Sequence, residues 1–214
     1  MTSPTRFAGA GKIVALCLAL IGLTPAAGAG AVPASPQDSV QSFYDVLLTT
    51  MKHARTLGQS GRYATLAPVV NGVFDVPFMA RLAVGPSWAS FTPAQQQQIV
   101  IAFGHYVSAT YADRFDNYSG QQLQVTGAEP TTGGVIVETE IVEAGSEPVT
   151  ISYLMRRNEG VWQIDDVYLD GTISQLATQR SEFHSILVHQ GVTGLITALN
   201  RKVDLLTRDA AKSP

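Results

Sequence analysis

At Gly120 the apolar residues of this chain stop recurring every three to four positions and begin recurring every two. The first pattern is the period of a helix with one buried face, and the second is that of a strand. A block of helices followed by a block of strands predicts an α+β fold rather than alternating α/β units. The longest helical stretch is Phe74–Gly120. Asp75 is placed to cap a helix carrying Phe78, Met79 and Leu82, which Gly85-Pro86 ends. After an elbow of Ser87, Trp88 and Phe91, Thr92 and Gln95 form a capping box with Pro93 at the first helical position. Ile99, Phe103, Tyr106, Val107, Thr110 and Tyr111 then share one aromatic-rich face.

Two helices are expected before this pair. Ser35 caps one that carries Val40, Phe43, Tyr44, Leu47, Leu48 and Met51 and runs to about Leu57, before Gly58. The next covers Arg62 to Val73, with Pro68 inside it.

Beyond Gly120 a weak strand is expected at Gln121–Thr126, then clearer ones at Val135–Val142, Val149–Met155 and Val161–Leu169. Short connections such as Asn158-Glu159-Gly160 imply an antiparallel meander. In the last strand Trp162 and Ile164 fall on one face but Val167 and Leu169 on the other. Either a bulge at Asp165-Asp166 shifts the phase, or the strand is covered on both faces. A helix from Ile173 to about Gly191 and another through Val192–Val203 close the domain. The architecture expected is a curved antiparallel sheet of about four strands under a helical layer, of NTF2/cystatin-like type, with an apolar cavity between.

Residues 1–31 read as a cleaved signal peptide: Arg6 and Lys12, an apolar run from Ile13 to Leu23, Pro25, and small residues up to Ala31. The single cysteine, Cys17, lies in that run, and the bulky Leu16 before it argues against lipid attachment. The mature chain would then lack thiol chemistry, and a periplasmic location is expected. A single domain spans 32–206, with a polar tail at 207–214. The mature chain carries 12 basic against 17 acidic residues, near −5, which argues against a nucleic-acid partner.

Catalytic signals are sparse. Gly85-Pro86-Ser87-Trp88-Ala89 lacks the second glycine of a nucleophile elbow, and it follows a helix rather than a strand. His53, His105, His184 and His189 have no metal-ligand spacing. Asn117-Tyr118-Ser119 matches a glycosylation acceptor by a short, common pattern. Asp165 and Asp166 are the best carboxylates, but adjacent strand residues point to opposite faces and cannot share a proton. No catalytic residue, metal or cofactor is therefore expected. A large apolar inventory without catalytic groups suggests a binder. A lipid with ~30 methylenes, each worth about 0.8 kcal/mol of burial, crosses water only inside apolar walls.

The segments FDVPFMARLAVGPSW, FTPAQQQQIVIAFGHYVSATYADRFDNYSG, VIVETEIV, EPVTISYLMRR and VWQIDDVYLDGTISQLATQRSEFHSILVHQGVTGLITALNRK occur in the order of a known family. Across roughly residues 38–203 the chain resembles the MlaC-like, or toluene-tolerance auxiliary, family of periplasmic lipid-binding proteins. GRYATLAPVV, VGPSW and DVYLDGTISQLATQRSEF are similar to its hopanoid-biosynthesis-associated HpnM branch. The resemblance implies a monomeric shuttle that carries a phospholipid or hopanoid between the outer membrane and an inner-membrane ABC-type transport complex, with an outer-membrane protein as a further partner. It transfers no catalytic motif.

The candidate lipid-binding residues are those on inward faces: Trp88, Phe103, Tyr106, Val107 and Tyr111 from the helices, and Ile151, Tyr153, Val167 and Leu169 from the sheet. Ile173 and Phe183 are expected to close one end, and Arg81 and Arg114 are candidates for a phosphate headgroup. Trp88, Tyr106 and Tyr111 would offer a flat wall to a rigid ring system. The competing readings are an NTF2-like isomerase or cyclase using Asp165 or Asp166 as general base, and a scaffold whose core leaves no void.

Overall fold

The structure is a computed structural model that describes residues 35–208. The expected signal peptide and the end of the polar tail lie outside the described residues.

α1 (Pro36–Lys52) begins where Ser35 Oγ accepts the Asp38 N–H at 3.0 Å. It ends at His53, earlier than expected. α2 (Ala54–Val73) follows at once and bends at Gly58, which adopts φ 62°. Gly58 is non-helical, with ψ −176°, and parts two helices that follow one another across a kink. α3 (Val76–Val84) starts with Asp75 Oδ1 accepting the Phe78 N–H at 3.0 Å and stops at Gly85. A 3-10 turn, Gly85–Ser90, carries Trp88. α4 (Pro93–Arg114) opens on the expected capping box: the Gln95 N–H donates to Thr92 Oγ1 at 3.3 Å, and the Thr92 N–H donates to Gln95 Oε1 at 2.9 Å. A Cβ at Gly104 of α4 would lie 2.9 Å from Asn71 Oδ1 and 3.2 Å from Val76 Cγ1. The lack of a side chain there lets α4 pack close to α2 and α3.

Five strands form one antiparallel sheet in sequence order: β1 (Gln122–Thr131), β2 (Gly134–Val142), β3 (Val149–Asn158), β4 (Val161–Leu169) and β5 (Ile173–Ser174). β1 is longer than its weak alternation suggested. β5 is the strand not foreseen: Ile173 pairs with Leu169 instead of starting a helix. The phase problem in β4 is solved by a bulge. Leu154 pairs with Asp166 and Met155 with Ile164, leaving Asp165 as the extra residue. Ile164 before the bulge, and Val167 and Leu169 after it, therefore all face the helices. α5 (Gln175–Thr207) starts with Ser174 Oγ accepting the Ala177 N–H at 2.9 Å and bends at Gly191, φ 66°.

The core lies between α1 and the sheet centre, where Val40, Phe43, Tyr44 and Leu47 meet Val137, Thr139, Tyr153 and Met155, all at most 1% exposed. Burying tyrosines requires partners for their hydroxyls. Tyr44 Oη lies 2.6 Å from Thr139 Oγ1 and 3.2 Å from Tyr153 Oη, and Thr139 Oγ1 donates to the Ile151 carbonyl at 2.6 Å.

Candidate functional site

A cavity of about 420 Å³ opens beside this core, between α4 and the sheet. α4 turns Tyr106, Val107, Thr110 and Tyr111 into it because these residues recur at helical spacing on the face opposite solvent. Strands β2, β3 and β4 supply Ile141, Ile151, Val167 and Leu169. Met51, Phe74, Met79 and Phe115 close the helical side. The walls are thus mostly carbon.

Tyr111 holds the helical wall in place. Its ring stacks on Phe115 at 5.7 Å and 7°, and meets Phe43 edge-on at 5.2 Å. Its hydroxyl bonds to Tyr153, and burial pushes both hydroxyls well above the ordinary tyrosine range. These tyrosines stay neutral near neutral pH and act there as hydrogen-bonding groups.

Polar side chains gather at the mouth. Arg114, Asn117 and Val149 are exposed lining residues, and Glu143, Gln121, Gln175 and Gln179 complete the polar share of the lining. Ser119 Oγ bonds to Glu143, and Gln121 Nε2 donates to Ser119 Oγ at 2.9 Å. The Gln179 Oε1 atom is buried and has no hydrogen-bond partner among the described residues.

The structure brings Tyr106, Val107, Tyr111, Ile151, Val167 and Leu169 together around this space. The other expected residues lie elsewhere. Trp88 packs partly buried against the core from the 3-10 turn and does not reach the cavity. Phe103 and Phe183 are core residues, edge-on at 6.1 Å, because they lie on the stretch where α4 and α5 touch directly. Tyr153 is wholly buried in the hydroxyl network. Ile173 is 52% exposed on β5. The end expected to be closed by Ile173 and Phe183 is instead lined by Gln175 and Gln179. The proposed aromatic wall loses Trp88 and keeps Tyr106 and Tyr111. Arg81 lies over the Phe78 ring, 5.4 Å from its centre, and only Arg114 reaches the cavity.

Sequence reasoning missed Met51, Phe74, Met79, Phe115, Ile141 and Val149. The inward period marked all but Phe74 and Phe115 as apolar candidates, but it does not distinguish a residue facing a void from one facing another side chain. The glutamines carried no such signal.

Neither Asp165 nor Asp166 lines the cavity. Asp165 is buried against Arg156, whose guanidinium lies 3.8 Å from the centre of the Phe78 ring. Burial raises its pKa, the Arg156 bond and charge oppose that, and the charges of Asp75 and Asp166 add to the rise. Asp166 accepts from Ser174 Oγ at 2.5 Å, the Val167 N–H at 2.8 Å and the Leu176 N–H at 3.1 Å. It fastens the start of α5 to β4. Among the described residues no group of three or more His, Cys, Asp or Glu is arranged to hold a metal ion.

A family model described as "MlaC protein" matches residues 41–201. The chain is similar to the intermembrane phospholipid transport system binding protein MlaC of Haemophilus influenzae, 24% identical over 141 residues, or 64% of each chain. The match therefore spans just under two thirds of that relative's length. Among solved structures, the chain is similar to the phospholipid-binding protein from Ralstonia solanacearum in complex with a phospholipid. The TM-score is 0.69 at 25% identity, covering 82% of this chain and all of that one.

Proposed function

The chain belongs to the MlaC family, and from that premise we propose that it is a periplasmic lipid-binding shuttle that shields acyl chains in the cavity between α4 and the sheet. The observation that carries this reading is the cavity itself: carbon walls, with polar groups gathered at an exposed mouth. Its volume of about 420 Å³ falls within the range of ligand pockets, about 300–1,000 Å³. Each methylene that leaves a bilayer for such walls exchanges hydrocarbon for hydrocarbon. The ~0.8 kcal/mol it would lose in water is not lost, so loading and unloading need no energy source within the protein.

The first ligand class is a phospholipid, the kind of molecule named for both relatives. A hopanoid is the second, its rigid rings lying against Tyr106 and Tyr111. Tyr106, Val107, Tyr111, Ile151, Val167 and Leu169 are the contacts proposed for the apolar part. The proposed partners are an inner-membrane ABC-type complex and an outer-membrane protein, served by a monomer released from its signal peptide.

The test is native mass spectrometry of the protein purified from its own host, followed by organic extraction. The expected result is a phospholipid or hopanoid at near one-to-one stoichiometry. An empty protein that takes up neither lipid from liposomes overturns the proposal.

A further inference from the structure

Arg62 of α2 is buried, as arginines rarely are unless paired. Yet the ion pairs among the described residues are Arg156–Asp165 and Lys202–Glu182, and neither includes it. Its guanidinium instead donates to three oxygens. Nε donates to the Ala112 carbonyl at 2.9 Å, Nη1 to the Ala54 carbonyl at 3.4 Å, and Nη2 to Gln59 Oε1. Gln59 passes the link on, since its Nε2 donates to the Leu206 carbonyl. Ala112 lies in the last turn of α4 and Leu206 in the last turn of α5. Carbonyls there lack intrahelical donors and carry the negative end of the helix dipole. One guanidinium and one amide thus pin two helix ends to each other and to the turn ahead of the Gly58 kink.

Neither Arg62 nor Gln59 lines the cavity, but the chain that they hold does. Tyr111 on one side of Ala112, and Arg114, Phe115 and Asn117 on the other, are lining residues, as is Met51 just ahead of Ala54. Arg114 and Asn117 are exposed, so this end of α4 is the end at which the cavity meets solvent. A wall pinned in this way yields by local opening, and every bond that pins it makes the open state rarer. Resting on the carrier reading above, we infer that Arg62 is a positioning residue for lipid release: with Gln59 it latches the mouth end of α4 to the end of α5, and lipid leaves when that latch loosens.

The experiment follows pyrene-labelled phosphatidylcholine as the purified protein moves it from labelled to unlabelled vesicles, read as loss of excimer fluorescence. Arg62→Met and Gln59→Met are each expected to raise the transfer rate about fivefold, the change in open population for the net strength of one hydrogen bond. Arg62→Lys keeps a donor for one carbonyl and is expected to fall between them and the parent. Hydrogen exchange of the lipid-free protein should show the amides of residues 112–117 exchanging faster in the same two variants. Asp166→Ala, which weakens the fold away from the latch, should change neither readout. Folded variants that transfer and exchange at the parent's rates overturn the inference. So does an Asp166→Ala protein that speeds transfer as much, because the effect is then general destabilisation. Gln59→Met keeps the buried arginine and decides the matter where Arg62→Met does not fold. A parent that transfers no lipid overturns the carrier reading, while hydrogen exchange still decides the latch.

Discussion

Tyr44 Oη of α1 lies 2.6 Å from Thr139 Oγ1 of β2, in the wholly buried centre of the domain. Through Tyr153 Oη, 3.2 Å away, the same hydroxyl joins a chain that reaches Tyr111 in the cavity wall. Cavity and core therefore share one polar network, and the helical layer is tied to the sheet where the two would otherwise separate.

Tyr44→Phe removes one hydroxyl from that chain and leaves two buried groups a partner short. The expected loss is about 1–3 kcal/mol of unfolding free energy, the range for a buried group left unsatisfied. Urea denaturation measures it. A variant as stable as the parent shows that the network contributes no net stability.

Asp166→Ala breaks the two bonds that tie β4 to the start of α5, from Ser174 Oγ and the Leu176 N–H, and a third from the neighbouring Val167 N–H. The loss is expected to be about 1–2 kcal/mol, the scale of a lost helix cap, with lipid occupancy retained. A folded, stable variant that loses lipid would move Asp166 from a structural to a ligand role.

Much of the fold was legible because each local signal had one physical reading. The Thr92–Gln95 box, the Asp75 cap and the Gly58 and Gly191 breaks mark real features, each glycine parting two helices across a kink. The conflict between Ile164 and Val167 in β4 announced the bulge at Asp165. The site was legible only in part. Periodicity identifies the face of Phe103 and Val107 as inward, but packing between α4 and α5 decides that Phe103 meets Phe183 while Val107 meets space. Trp88 misled because it is large and aromatic, and a 3-10 turn has no fixed inward face that a sequence can show. Gln179 was invisible because a side-chain oxygen without a partner is defined by its surroundings.

Asp165 gives a pH dependence with a definite sign. Its folded-state pKa is raised above the ordinary 3.8, chiefly by burial. The native state thus holds the proton more tightly than the unfolded chain does. This contribution to stability is fully present below about pH 3.8 and is lost as pH rises through the raised value. The Arg156 bond and charge limit the loss, while the charges of Asp75 and Asp166 enlarge it. Denaturation of the parent and of Asp165→Asn, compared from about pH 3.5 to about pH 7, should show the parent's relative stability falling as pH rises. A difference that is flat, or that grows with pH, would mean that the Arg156 pair outweighs burial.

Val107→Trp tests the cavity as the ligand's seat. Val107 is 7% exposed and lines the space from the middle of α4, between the aromatic neighbours Tyr106 and Tyr111. An indole there has room that a packed core would deny it, so the fold should lose little stability, less than the about 1–3 kcal/mol typical of overpacking. Filled space excludes acyl chains, and lipid occupancy should fall several-fold. Phe103→Ala is the contrasting change. It empties a packed position facing Phe183 and should cost about 3–5 kcal/mol of stability. Trp88→Ala lies outside the cavity and should leave occupancy unchanged. A folded Val107→Trp protein that carries as much lipid as the parent would place the acyl chains somewhere other than this cavity.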